Sequence, residues 1–362
     1  MIELTLNNLE NFTRGAAFLG TGGGGDPYIG KLMLKHQLEK GKIIKILSPD
    51  EINDNFLVCN VLSMGAPTVF VEKVPNGPAT LHGLRKVEEI IGKKFDAIMP
   101  IEAGGVNATI PLVVSALSGL PVIDADGMGR AFPELQMVTY NVGNVDINPI
   151  VAINDFMETA VFNARNSSSG EWLARAVCVR MGGICQMACY PMTGKQIKDT
   201  AIHNTIKLSF DIGKTIQEAR NQKKDPTDAV IDYMKMSNPS RFGKVLFLGK
   251  ITDLLRETVN GFTKGILHLK SLADEDELIV EFQNEFLYAK SNDKVLAMVP
   301  DLICALDSES GEPITTDGLR YGQRIKIVSI SVPPVMRTKK ALDLFGPKAF
   351  GLNFDYVPLE DL

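Results

Sequence analysis

Apolar positions recur along this chain at two spacings, and the change from one to the other divides it. Leu9, Phe12, Ala16 and Leu19 fall on one face of a helix over residues 7–19. Asp26-Pro27 is a helix start, an N-cap followed by a residue whose missing N–H costs nothing there, and predicts a helix from 27 to about 40 that stops at Gly41. Apolar runs at 42–47 and 56–62 predict strands, and Leu81, Leu84, Val87 and Ile90 mark a helix over 78–91. Two further strands, 97–101 and 120–123, flank a helix over 107–117. The alternation predicts α/β architecture, an open and mostly parallel sheet with helices on both faces. Further strand structure is expected within 144–162 and a buried strand at 185–190. Helices are expected over 171–181, from Thr193 (with a break) to Arg220, and from Asp225-Pro226 to Met236.

Beyond Asn238-Pro239-Ser240 the pattern shortens to β-rich runs between 242 and 330. Turns are predicted at Asp274-Glu275-Asp276, Ser291-Asn292-Asp293 and Ser310-Gly311. Three parts are therefore expected: an α/β domain over 1–240, a separate C-terminal all-β domain over 241–335, and a tail over 336–362 that returns to the α/β domain.

Two strand ends stand out. The strand at 97–101 stops at Glu102-Ala103-Gly104-Gly105, and the one at 120–123 stops at Asp124-Ala125-Asp126-Gly127. A helical crossover makes the two strands parallel, which puts both acidic tips on the carboxyl edge of the sheet, where open α/β sheets bind ligands. The third feature is the loop Gly20-Thr21-Gly22-Gly23-Gly24-Gly25-Asp26. Gly20, Gly22 and Gly25 match G-x-G-x-x-G, but the loop follows a helix rather than the strand that the dinucleotide fingerprint requires, which leaves nucleotide binding the minor reading, and no Gly-Lys-Ser/Thr follows, so it is not a P-loop. The remaining readings are close approach to a ligand through Gly22, Gly23, Gly24 and Gly25, with backbone N–H groups at a helix N-terminus, or a tight turn between helices.

Asp26, Glu102, Asp124, Asp126 and Glu134 are the candidate carboxylates. Acids brought together need a metal ion, a neighbouring cation or a shared proton, and any of these equips a carboxylate to activate water. Glu102 and Asp126 are the candidate catalytic pair, and Asp26, Asp124 and Asp126 the oxygen donors for a metal. Arg130 is a candidate clamp for a substrate carboxylate, and Asn107 and Thr109 for ring amides. The rival reading makes Asp124 and Asp126 caps of a turn in which Gly127 and Gly129 supply positive φ.

Composition narrows the classes. Across 362 residues, 45% apolar and 22% charged describes a globular protein with a sizeable core. A net charge of -5 and a pI near 5.6 argue against nucleic acid or an anionic membrane as partner. No run of 18 apolar residues and no signal-peptide pattern occurs, so a cytoplasmic location is expected. The five scattered cysteines are expected to be buried and unpaired, and Cys185 and Cys189 to pack rather than bind metal.

The stretches Leu19 to Pro27, Met64-Gly65-Ala66-Pro67-Thr68, Glu102 to Asn107 and Pro121 to Glu134 resemble the N-terminal signatures of the S-methyl-thiohydantoin desulfurase family, whose members are often associated with hydantoinases and oxoprolinases. Pro300 to Asp307 and Leu319-Arg320-Tyr321-Gly322 resemble its second domain. The resemblance spans essentially the whole chain. It implies an α/β domain joined to an all-β domain and a hydrolase of a small hydantoin-like ring, converting an S-methyl thiohydantoin to a hydantoin and methanethiol. Glu102 or Asp126 would shuttle the proton, and glycine-loop amides would steady developing charge. It also implies zinc or another divalent metal, although His36, His82, His203 and His268 all lie outside the matched motifs. The alternatives are a non-catalytic partner subunit of a hydantoinase or oxoprolinase, and a small-molecule-binding protein. The partners expected are thus the small-molecule substrate and a hydantoinase or oxoprolinase subunit, with self-association into a homo-oligomer left open.

Overall fold

A computed structural model describes residues 1–70, 72–73, 75–292 and 294–362; Asp293, the last residue of one predicted turn, lies outside the described residues. The first 203 residues carry ten strands: β1 (Ile2–Leu4), β2 (Ile44–Leu47), β3 (Leu57–Gly65), β4 (Ala97–Met99), β5 (Val122–Ile123), β6 (Ala125–Asp126), β7 (Ile150–Ile153), β8 (Thr159–Phe162), β9 (Ile184–Thr193) and β10 (Ile202–His203). Eight of them form one sheet in the order β1-β2-β5-β4-β3-β9-β7-β8. Its centre, β2-β5-β4-β3, is parallel. Antiparallel strands extend it, β1 on one side and β9, β7 and β8 on the other.

The apolar runs are continuous because this sheet is covered on both faces. Val58, Met99 and Ile123 enter one apolar cluster and Cys59, Ile98 and Val122 the other, so successive residues of each strand point to opposite cores. The helices Leu9–Leu19, Pro27–Glu39, Gly77–Ile91 and Ile110–Ser118 occupy the predicted connections. Asp26 accepts from Tyr28 N at 2.8 Å as the N-cap of its helix. Thr193 and Gln196 form a capping box on Gly194–Thr200. The predicted break follows at β10, before the helix Thr205–Asn221.

The second sheet is wholly antiparallel. Its strands are β11 (Gly243–Val259), β12 (Phe262–Ser271), β13 (Glu277–Gln283), β14 (Glu285–Ser291), β15 (Lys294–Met298), β16 (Leu302–Asp307), β17 (Pro313–Ile314) and β18 (Arg324–Ile330), in the order β15-β14-β13-β12-β11-β18-β16-β17. One face encloses Ile251, Leu267, Phe282, Phe286 and Ile327. Leu287, Met298, Cys304 and Val328 join a cluster that also contains Met99, Phe132 and Phe345, so the two sheets share a core rather than standing apart. The tail packs back across this seam. Phe345 stacks on Phe132 with ring centroids 5.2 Å apart, and Tyr356 OH donates to Asp301 Oδ2 at 2.9 Å. Among the described residues, no helix is long and apolar enough to cross a membrane.

Candidate functional site

The glycine loop is the place where the two sheets meet. Phe286 N donates to Thr21 O at 2.9 Å, and Thr316 N donates to Gly22 O at 2.7 Å. Gly24 N donates to Glu285 Oε1 at 3.0 Å. On its other side, Val106 N donates to Gly24 O at 2.9 Å. Side chains do not fit in this layer. A Cβ on Gly23 would stand 2.0 Å from Glu285 Oε1, and one on Gly22 would stand 2.5 Å from the Phe286 ring. Gly105 has φ +64° and would press a Cβ to within 2.4 Å of the Gly24 backbone. At Gly22 and Gly23 the close approach is that of the second sheet.

Beside this junction lies a cavity of about 40 Å³, lined by Gly24, Gly25, Ser63, Glu102, Asn107 and Glu285, with Arg175 also in its wall. That volume suits a water molecule or two rather than a ring. The carboxyl end of β3 supplies Ser63 and that of β4 supplies Glu102, as expected of a parallel edge. Asn107 ties the two together. Its Oδ1 accepts from Ser63 N at 2.8 Å, while its Nδ2 donates to Ser63 O at 3.0 Å and to Glu102 Oε1 at 2.6 Å. Glu102 Oε2 accepts from Phe132 N at 3.1 Å.

Glu285 comes from the turn between β13 and β14, where Asn284 takes a left-handed φ of +59° and its Oδ1 accepts from Thr263 N at 2.8 Å. Glu285 Oε2 is buried and has no partner among the described residues. Burial raises its pKa to about 8, the Arg130 charge and the Gly24 amide acting the other way. Burial also holds Glu102 well above the usual carboxylate range, and the charge of Glu285 adds to that. Burial and mutual repulsion thus both favour the protonated form within this pair. Arg175 adds a fixed cation, with Nε donating to Glu171 Oε1 at 2.7 Å and Nη2 to Pro133 O at 2.7 Å.

The other candidates are placed differently. Asp126 is fully buried, and its Oδ2 accepts from Ala103 N, Met128 N and Gly129 N at 2.8, 3.1 and 2.8 Å. It braces the backbone behind Glu102 and does not line the cavity; burial lifts its pKa to about 7, the three amides opposing the rise. Asp124 Oδ1 accepts from Ile206 N and Lys207 N and so serves the N-terminus of the helix Thr205–Asn221. Thr109 is buried, and its hydroxyl donates to Val106 O. Arg130 is no substrate clamp. It is 0% exposed, stacks on Phe132, and donates to Ala131 O, Pro300 O, Asp301 O and Thr21 Oγ1, which knots the glycine loop to the second sheet. Glu134 stands at the cavity wall beside Gln136. Asp26 lies in an outer cleft of about 300 Å³, together with Tyr28, Phe70, Asp317 and Arg320. Phe70 lines both spaces.

This placement tests the metal set. Asp26 faces the outer cleft, Asp124 is taken up by helix amides, and Asp126 is engaged by backbone N–H groups. Among the described residues, no group of three or more His, Cys, Asp or Glu side chains is disposed to hold an ion. The three acids do not fit zinc, which needs convergent donors. The five cysteines are free and buried.

Sequence reasoning missed Glu285 and Arg175. Arg175 carries one local signal, Glu171 four residues earlier on the helix Ser167–Arg180. Glu285 carries only its position after Asn284 in a hairpin break.

Comparison with known proteins agrees with this architecture. A crystal structure of a protein from Chromobacterium violaceum superposes with a TM-score of 0.82 at 24% sequence identity, covering 99% of this chain and 100% of that one, and so shares its fold. No curated protein matches the chain. Residues 7–164 match the family model described as the S-Me-THD-like N-terminal domain, and residues 165–359 match the S-Me-THD-like C-terminal domain. The chain belongs to the S-Me-THD-like family, the relatives of S-methyl-thiohydantoin desulfurase.

Proposed function

We propose that the protein hydrolyses a small hydantoin-like ring, with an S-methyl thiohydantoin as substrate and Glu102 and Glu285 as the reacting carboxyls. The reaction replaces the C–S bond of the ring's C(SCH₃)=N unit. Water adds its oxygen to the carbon, one of its protons ends on the ring nitrogen, the other leaves on sulfur, and the products are the ring carbonyl and methanethiol. The observation that carries this reading is Glu285 Oε2, buried, unpartnered and next to a second buried carboxyl.

In the ionised half of the pair, one carboxylate accepts a proton from a water held in the inner cavity. The protonated partner donates to the ring nitrogen, and the same proton relay then supplies the departing sulfur. Arg175 steadies the negative charge that builds on the leaving group. The ring itself sits in the larger outer cleft, reaching inward past Phe70 to the carboxyls. Asp126 is a positioning residue, holding the Ala103 amide and hence the end of β4 in place.

The test is release of methanethiol from an S-methyl thiohydantoin by the full-length chain, with and without added divalent metal, followed with a thiol reagent. The reading expects turnover by the wild type and loss of it in Glu285→Gln. No thiol from the wild type under either condition, or an undiminished rate in the variant, rejects it.

A further inference from the structure

Beside β10, the strand paired with β6, lies a second cleft whose wall includes a guanidinium with an unpaired N–H group. Arg241 is 5% exposed, yet its Nη1 is sealed from solvent without a hydrogen-bond partner among the described residues. Burying a guanidinium N–H without a partner is costly, and Arg241 also lines a cleft, so a ligand anion that drew the fork towards the open space would relieve that cost. The cleft it lines holds about 580 Å³, and His203, Asn204, Lys207 and Tyr233 also line it.

The charged groups that line the cleft beside it are paired with one another. Asp211 takes the Lys207 ammonium and the Tyr233 hydroxyl. The amides of Ile206 and Lys207 are donated to Asp124, so the helix N-terminus is already occupied and recognition falls to side chains. Asp126 lies behind Arg241, close enough to act on its charge, but its own Oδ1 is likewise unpartnered and sealed. Leu208, Pro333 and Val335 supply apolar wall.

We propose that this cleft is a second ligand site, separate from the Glu102–Glu285 cavity, which takes a small organic oxyanion, a carboxylate or a phosphate ester, with its charged group against Arg241 and its apolar body against Leu208, Pro333 and Val335. The planar guanidinium fork matches either group, and the Lys207 ammonium at the mouth adds attraction. The space exceeds what a bare ion fills, which is why the ligand carries a carbon skeleton. The site does not depend on the hydrolase reading, because its occupation is measured without turnover.

The experiment is calorimetric titration of the full chain at low salt with three probes: inorganic phosphate, acetate and benzoate. The wild type is expected to bind at least one of them at one site per chain, benzoate more tightly than acetate because of the apolar wall. Phosphate against the two carboxylates tells which oxyanion the site prefers. Arg241→Met is expected to weaken binding roughly tenfold or more, and Lys207→Met by a smaller factor. Glu285→Gln should bind as the wild type does. Should Arg241→Met fail to fold, Lys207→Met decides, since that ammonium is exposed: unchanged affinity there overturns the proposal. Absence of saturable binding by all three probes overturns it as well, as does equal affinity in the wild type and Arg241→Met.

Discussion

Glu102 and Asp126 begin as near equivalents, each an acid at the carboxyl end of a central strand followed by glycine, and end in different circumstances. Asp126 Oδ2 receives three backbone amides, while Glu102 receives one amide and one side-chain amide and shares its wall with Glu285. Three donors on one oxygen are what a turn needs to keep its N–H groups paired, so Asp126 belongs to the scaffold. Burial first, and then the charge of Glu285, raises the proton affinity of Glu102, whose side chain lines the cavity as that of Asp126 does not. Acidity at a strand end is thus a poor guide to chemistry until the donors around each oxygen are counted.

The contrast can be broken at its strong end. Glu285→Gln and Glu102→Gln should each lower kcat/KM by about 10² to 10⁴ while leaving the melting temperature within a few degrees, because the amide matches the carboxyl in size and shape but cannot exchange its proton. Steady-state kinetics beside thermal melts settles it, and a rate near that of the wild type would remove both acids from the mechanism. Gly23→Ala is expected next. Its Cβ would lie 2.0 Å from Glu285 Oε1, so Glu285 shifts, with a rate loss of about 10² and a lower melting temperature.

Asp126→Ala should act on stability instead. It strips three buried amides of their acceptor at a cost of about 3 kcal/mol or more, measurable by denaturant titration. Asp126→Asn keeps an oxygen there and should cost about 1 kcal/mol. Should Asp126→Asn abolish turnover with stability unchanged, the scaffold assignment fails.

Stability should also carry a pH slope. Burial raises the pKa of Asp124 to about 6, of Asp126 to about 7 and of Glu285 to about 8, all above their unfolded values, so the folded state binds more protons than the unfolded one through this range. Stability is therefore highest below the unfolded values and declines as pH rises from about 5 to about 8. Melts across that range should show the decline, and Glu285→Gln should flatten its upper end.

Local signals read well where local physics decides. Asp26-Pro27 and Thr193 cap helices because an Asx or Thr oxygen reaches its own following amides, and the turn glycine Gly41 takes φ +75°. The strand ends followed from alternation and crossover. Longer-range matters stayed hidden. The outer half of β11 reads as polar because Thr252, Asp253, Arg256 and Glu257 are exposed on an edge-facing stretch. Glu285 reaches the glycine loop across 261 residues, and no local pattern encodes that meeting. Arg130 reads as a ligand clamp from sequence because its planar fork matches a carboxylate; only docking of the second sheet shows its donors met by carbonyl oxygens.

The strand order carries a practical corollary. β9 is threaded between β3 and β7, yet it lies on the other side of residue 164 from both. Severing the polypeptide at that point would orphan the hairpin β7–β8 in one fragment and strand β9 without neighbours in the other. The two halves that sequence families distinguish are therefore not two foldable pieces, and chimeras or truncations are better cut near residue 240, where no ladder is crossed.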